Sequence, residues 1–448
     1  MTIRDHIKTN FFLAYPVMLS MLGQVMTGVA DSVMIGHTGA TPLAAASLAN
    51  VVFILLLTFG IGVSYAITPL VAEAEGRKDN HQVIQSLRHG FIINLVSGFI
   101  LVVIGFLAIP VLHFLNQPAD VVELTIPYLQ IILISIFPTM VFQTFRQFGE
   151  GLHRTRMAMI IVITSNLVNI FLNYVLIYGK LGFPELGLNG AGWATLIART
   201  LMGAWMALYI YSGKSFIRYR PGFAFGNYSA KLISRMLHIG IPAGIQFIFE
   251  VSAFGFSAVM MGWLGTTALA AHQIAINLAT ISYMTTSGLG AAATIRVGSY
   301  LGQKNFTLLR HAGFTLMGMG AVLMTMWGIV FVVARYQLPA LYIDNSEVIA
   351  MAGPLLVIAG LFQLSDGMQV VCIGALRGIQ DVKIPSLLIF IAYWIIGLPL
   401  GYLLGFPLGL GANGIWYGLL IGLTITALAM FFRFNRLTQN LSSSMSAD

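Results

Sequence analysis

From Phe11 onward, long apolar stretches alternate with short polar connectors, and the stretches fall at 11–36, 47–72, 90–112, 124–147, 157–179, 191–213, 238–262, 269–294, 311–334, 350–374, 384–405 and 412–434. A helix needs about 20 mainly apolar residues to cross the hydrocarbon core of a bilayer. Inside that core, each helix must satisfy its own backbone polar groups. The pattern therefore predicts twelve transmembrane helices. The first stretch is followed by many others and lacks a small-residue cleavage site, so it reads as a span rather than a signal peptide.

The pattern is written twice. With an offset of 226 residues, "MIGHTGATPLAAA" (34–46) falls on "MMGWLGTTALAAH" (260–272), Pro16 on Pro242 and Gly62 on Gly288; residues 16–76 share 16 identities in 61 ungapped positions with 242–302. Later, "GLNGAGWATL" echoes "GLGANGIWYGL" at an offset near 224. The expected fold is an all-α integral membrane protein, with two pseudo-symmetric six-helix lobes (1–213 and 238–448) around a central cleft. The basic segment 214–237 joins them. Six is an even number, so both lobes enter from the same side and the repeat is parallel, as in transporters that work by alternating access. Pro16 and Pro242 occupy equivalent places in spans one and seven, where a lost hydrogen bond serves either a hinge or static packing.

Composition agrees with the pattern. The 448 residues are 58% hydrophobic and 8% charged, with a mean hydropathy of +0.86, against about 25% charged residues in soluble domains. The net charge of +8 is topological, not a nucleic-acid signature. Twenty of the 23 basic residues fall in connectors or at span ends on one side of the expected membrane, two (Lys180 and Arg335) on the other, and Arg199 lies within span six. That bias puts both termini in the cytoplasm. One cysteine, Cys372, precludes an intramolecular disulfide and argues against a metal cluster. No HExxH or GxSxG occurs, and "GKS" at 213–215 lacks the upstream glycine of a phosphate-binding loop, so an enzyme is not expected.

Three acids interrupt apolar stretches: Asp31 in "GVADSVMIG", Glu250 in "FIFEVSAF" and Asp366 in "QLSDGMQVV". An intramembrane carboxylate is costly and by default marks an ion or substrate pathway. Under the repeat Asp31 falls on Ser257 and Glu250 on Gln24, so the lobes share a backbone but not their charges. Gln24 and Asp31 are seven residues apart, as are Glu250 and Ser257, which places each pair on one helix face. In span five, Asn166, Asn169 and Asn173 form a polar stripe that must face protein or water. Asparagine also simply joins helices in membranes. Arg199 either pairs with an acid or snorkels.

At these residues the chain resembles the multidrug and toxic compound extrusion (MATE) family, in its NorM-type bacterial branch. The likeness covers essentially the whole chain. It is carried by Pro16, Gln24, Gly28, Asp31 and "MIG" in span one, "LVNIFLNYVLIYG" in span five, "FIFEVSAF" in span seven and "DGMQVVCIGALRG" in span ten. The resemblance implies a multi-pass protein of the bacterial inner membrane, monomeric, that exports amphipathic and often cationic drugs in exchange for Na+ or H+, without a cofactor. It further implies that Glu250 and Asp366 take up the coupling ion, Na+ included, and that Asp31, Asn169 and Asn173 form a second cation site. Gln24, Asp31, Gln246 and Phe362 are the candidate substrate-contacting residues. Some relatives carry tyrosine one turn before the tenth-span aspartate; Phe362 stands here, which leaves Na+ and H+ both open. The alternative within the same superfamily, a flippase of lipid-linked precursors, calls for clustered basic residues in the cleft, and Arg199 is the single clear intramembrane one.

Overall fold

The computed structural model describes residues 3–114, 117–223 and 228–444; positions 224–227 of the expected connector lie outside the described residues. The fold is helical, and in chain order the α-helices are α1 (Ile3–Gly36), α2 (Ala40–Ser64), α3 (Ile67–Gly76), α4 (Asn80–Ala108), α5 (Ala119–Ile134), α6 (Ile136–Gly151), α7 (Arg156–Ile177), α8 (Gly187–Ser212), α9 (Ala230–Trp263), α10 (Thr266–Gly302), α11 (Phe306–Val333), α12 (Gln337–Ala340), α13 (Ser346–Gly378), α14 (Lys383–Phe390), α15 (Leu398–Gly405) and α16 (Gly411–Ser444). The second expected span is α2 with α3, and the fourth is α5 with α6. The eleventh is α14 and α15 joined by a π-helical turn, Ile391–Gly397. Among the described residues, eleven helical segments are long and apolar enough to cross a membrane. The expected eighth span is α10, which at 37 residues has ample length but is built largely of Ala, Gly, Ser and Thr and buries most of its surface. It meets protein rather than lipid along most of its length, so it needs small side chains more than greasy ones.

The repeat extends to the turns and caps. Gly39 and Gly265, offset by 226, open α2 and α10 with φ of 135° and 116°. Lys78 and Lys304 adopt φ of 60° and 56° at equivalent turns, a conformation costly for any residue with a Cβ. The next residues cap the following helix: Asp79 accepts from the Gln82 N–H and Asn305 from the Leu308 N–H, both at 3.0 Å. Thr68 Oγ1 donates to the Gln147 carbonyl at 3.0 Å, and Thr294 Oγ1 to the Gly374 carbonyl at 2.8 Å.

Partition by contact differs from partition by repeat. One compact unit comprises residues 19–244; the other comprises 245–448 together with 1–18. The reason is local packing. Gly288 of α10 leaves room for Ala14 and Met18, while Gly62 of α2 leaves room for Ala243 and Gly244. Thus α1 and α9 each run through a proline and change unit two residues later.

Within unit 19–244, the segment after α8 is held by side chains. Phe216 and Tyr219 are buried, with rings 6.4 and 6.0 Å from that of Phe148. Tyr219 also donates to Glu75 at 2.6 Å. Burial, with the Glu75 carboxylate alongside, pushes the Tyr219 phenol above its usual range. Arg235 reaches Glu73 at 2.7 Å. Arg146 and Glu150 form a buried pair at 2.7 Å at the end of α6.

In the other unit α10 and α13 touch backbone to backbone: a Cβ on Gly374 would overlap the Gly290 carbonyl oxygen. Gly374→Val is therefore expected to cost about 1–3 kcal/mol through overpacking. Gly255→Ala, where nothing lies within 4 Å of the added carbon, should be nearly neutral. Thermal denaturation of the two purified variants, followed by size-exclusion recovery, checks the contrast; equal melting would refute the α10–α13 contact.

Candidate functional site

Polar groups inside the apolar helices gather at two places, one in each unit. In unit 19–244, α1 and α7 run side by side. Gly23 faces Asn166, a Cβ there reaching 3.0 Å from Asn166 Nδ2, and Tyr178 donates to the Met34 carbonyl at 2.8 Å. Between these contacts, Asn173 Nδ2 donates to Asp31 Oδ1 at 2.5 Å. The same nitrogen lies 3.4 Å from Asn169 Oδ1, and Asn169 Nδ2 lies 3.4 Å from Thr195 Oγ1 on α8. Asn169 and Asn173 are buried. The asparagine stripe therefore faces protein, and it brings Asn173 to Asp31 with Asn169 behind it.

These groups border a cavity of about 320 Å³ walled by α1, α2, α5, α6, α7 and α8, with Gln24, Asp31, Asn169 and Arg199 among its lining residues. Arg199 does not snorkel. Its Nη1 donates to Ser135 Oγ at 2.7 Å, and its guanidinium carbon lies 4.7 Å from the centroid of Phe53.

In the second unit, Gln369 on α13 donates through Nε2 to Glu250 Oε1 on α9, and its own Oε1 accepts from Tyr393 Oη at 3.1 Å. Tyr393 lies within the π-helical turn, a wide-turn geometry frequent at functional sites. Gln246, one turn before Glu250, is buried within hydrogen-bonding reach of the same carboxylate. Asp366 shares a helix face with Gln369 and lies within electrostatic reach of Glu250. Phe362, one turn earlier, is buried with its ring stacked 5.6 Å from Trp416, whose Nε1 donates to His272 at 3.1 Å. Where an oxygen would stand in a tyrosine, this chain has an aromatic face.

Glu250, Asp366 and Gln246 are thus gathered in one unit, and Asp31, Asn169, Asn173 and Gln24 in the other. Gln369, Tyr393, Thr195 and Ser135 went unread in the sequence. Only Gln369 had a signal there, three residues after Asp366 on the same helix face. Among the described residues no cluster of three or more His, Cys, Asp or Glu could hold a metal ion, so an ion at either place would depend on amide and hydroxyl oxygens as well as carboxylates.

The MatE family model matches residues 16–175 and 242–403, one copy in each half of the repeat. The chain belongs to the MatE family. A probable multidrug resistance protein NorM of Rhizobium meliloti is 36% identical over 99% of this chain and 96% of its own length. A multidrug resistance protein NorM of Photobacterium profundum is 34% identical over 94% of this chain and 93% of its own. A crystal structure of MATE in the bent conformation superposes with a TM-score of 0.91 at 20% identity, covering 99% of this chain and 97% of that one. The helix count and the family together make this MatE protein a multi-pass membrane protein.

The Asp31–Asn173 bond has a measurable consequence. Asn173→Leu leaves a carboxylate without its donor and should cost about 1–3 kcal/mol. In an Asp31→Asn background the same substitution should cost less, because the group left unpaired is neutral. A double-mutant cycle on thermal stability in detergent measures the difference, and additive costs would mean the pair is not coupled.

Proposed function

We propose that this protein exports amphipathic, often cationic, compounds across the bacterial inner membrane in exchange for Na+ or H+, exposing its binding groups alternately to the two sides. The observation that carries the proposal is the placement of Asp31, Glu250 and Asp366 inside apolar helices, two of them bonded to an amide. Family membership and full-length relatives named as multidrug resistance proteins support it. Glu250 and Asp366 act as one coupling site, since two neighbouring carboxylates cannot both ionise cheaply and the pair exchanges one cation as a unit. Asp31, with Asn169 and Asn173, is the second site. The protein acts as a monomer with both termini cytoplasmic, the side where 20 of 23 basic residues fall. Flipping of lipid-linked precursors is not favoured, because Arg199 is the single basic residue among those lining the cavity of unit 19–244.

Neutral isosteres test the roles. Asp31→Asn, Glu250→Gln and Asp366→Asn should each leave membrane expression near normal and abolish drug resistance in a sensitised host. Full resistance in any one variant removes that residue from the mechanism.

Ion identity needs a second measurement. Fluorescence or calorimetric titration with Na+ at two pH values should show binding that Glu250→Gln and the Glu250→Gln/Asp366→Asn double variant lose equally, while Asp31→Asn keeps it. Proton competition without Na+ affinity at any pH would make H+ the coupling ion; Na+ binding unchanged in both single variants would rule out the shared site.

A further inference from the structure

In the unit that contains residues 245–448, α14 and α16 leave a groove between them of about 510 Å³. Its lining includes Ile384, Leu388, Phe432 and Leu437, together with Arg433 and Arg436. None of the polar residues placed in the two clusters above lines it. Arg433 and Arg436 lie three residues apart on one face of α16, where like charges repel. Asp381 answers the first of them, accepting from Arg433 Nε at 2.5 Å and from Nη2 at 3.0 Å. A guanidinium has five N–H donors, so this edge-on pair leaves donors of Arg433 to spare. Arg436 is exposed and, among the described residues, has no hydrogen bond or ion pair. Arg310 of α11 differs: it is spent on α16 itself, reaching Asn435 at 2.8 Å and Thr438 at 2.7 Å. From 379 to 444 the sequence has one acid, Asp381, against Lys383, Arg433 and Arg436. The groove therefore joins an apolar wall to positive charge that its own segment does not offset.

We propose that this groove holds one anionic phospholipid, its phosphate on Arg433 and Arg436 and an acyl chain along Leu388, Phe432 and Leu437. Forked guanidiniums match the oxygens of a phosphate, and basic pockets between membrane helices recruit anionic headgroups. Snorkelling alone would carry each arginine out to water; Asp381 instead holds Arg433 at the groove. A free phosphate has no use for the apolar wall. A zwitterionic phospholipid brings its own ammonium and leaves the excess positive charge in place. In the orientation proposed above, the lipid belongs to the cytoplasmic leaflet. The site needs neither drug nor coupling ion, so it stands apart from the export reading.

The test is native mass spectrometry of the full-length protein, delipidated in detergent and given phosphatidylglycerol or phosphatidylethanolamine of the same acyl composition. Phosphatidylglycerol should bind about fivefold more tightly or better, the effect of one uncompensated arginine at a membrane surface. Arg436 has no partner in the protein to lose, so Arg436→Gln should fold normally while weakening phosphatidylglycerol alone, and Arg436→Lys should keep most of the preference. Lys180→Gln, a change in the other unit, should leave it unaltered. Equal binding of the two lipids to the unaltered protein overturns the proposal. So does an Arg436→Gln protein that retains the full preference or weakens both lipids alike. Release of bound phosphatidylglycerol by equimolar inorganic phosphate would mark a free-phosphate site and overturns the lipid as well.

Discussion

A carboxylate held in hydrocarbon must be given a partner, and the interior of this protein is arranged around that requirement. For two of the three acids the partner is a primary amide: Asn173 for Asp31, backed by Asn169 and Thr195, and Gln369 for Glu250, backed by Tyr393. An amide carries donors and an acceptor on one rigid plane. It can hold a carboxylate by its N–H groups and offer its oxygen to an ion or a hydroxyl. Such a cluster keeps its shape while its charge changes, a property that the proposed ion exchange requires. A buried arginine partner would instead fix the acid in its charged state.

The repeat supplies the frame and divergence supplies the chemistry. Equivalent turns, caps and threonine–carbonyl bonds recur in both halves, down to the φ angles of Lys78 and Lys304. The charged positions do not recur: Asp31 falls on Ser257 and Glu250 on Gln24. Backbone geometry is set by packing and hydrogen bonds that two copies can share, whereas each acid needs its own array of neighbours. The prolines belong to the frame as well. In α1 and α9 the change of unit falls two residues after Pro16 and Pro242, the places where a helix missing one backbone bond bends at least cost.

Much of this was legible in the sequence, for physical reasons. Apolar stretches of sufficient length announced the spans, and the acids within them announced where buried polar groups gather. The asparagine spacing of three and four put Asn169 and Asn173 on the face that meets Asp31. What stayed hidden were contacts between distant helices. Tyr393 lies in an ordinary aromatic-rich stretch, and only the π-helical turn and the neighbouring Gln369 give it a role. Arg146 read as one more connector cation, although it is buried against Glu150. Arg199 was noticed without an explanation, because nothing near it in sequence names Ser135 or Phe53. The Ala- and Gly-rich α10 is apolar by packing rather than by hydropathy.

One charge moving down a potential of about 150 mV releases about 3.4 kcal/mol, and a tenfold ion gradient about 1.4 kcal/mol. A monocationic drug exchanged one for one cancels the first quantity, so the concentration gradient alone drives it outward, whereas a ligand without net charge keeps both. The most direct measurement is uphill drug transport by the purified protein in proteoliposomes, with Na+ and pH gradients imposed separately and the membrane potential clamped. Drug is expected to move against its own gradient when one of these two ion gradients is present, to stop when it collapses, and not to move in the Glu250→Gln protein. Uphill transport that persists without any ion gradient, or that survives loss of Glu250, would contradict ion-coupled export.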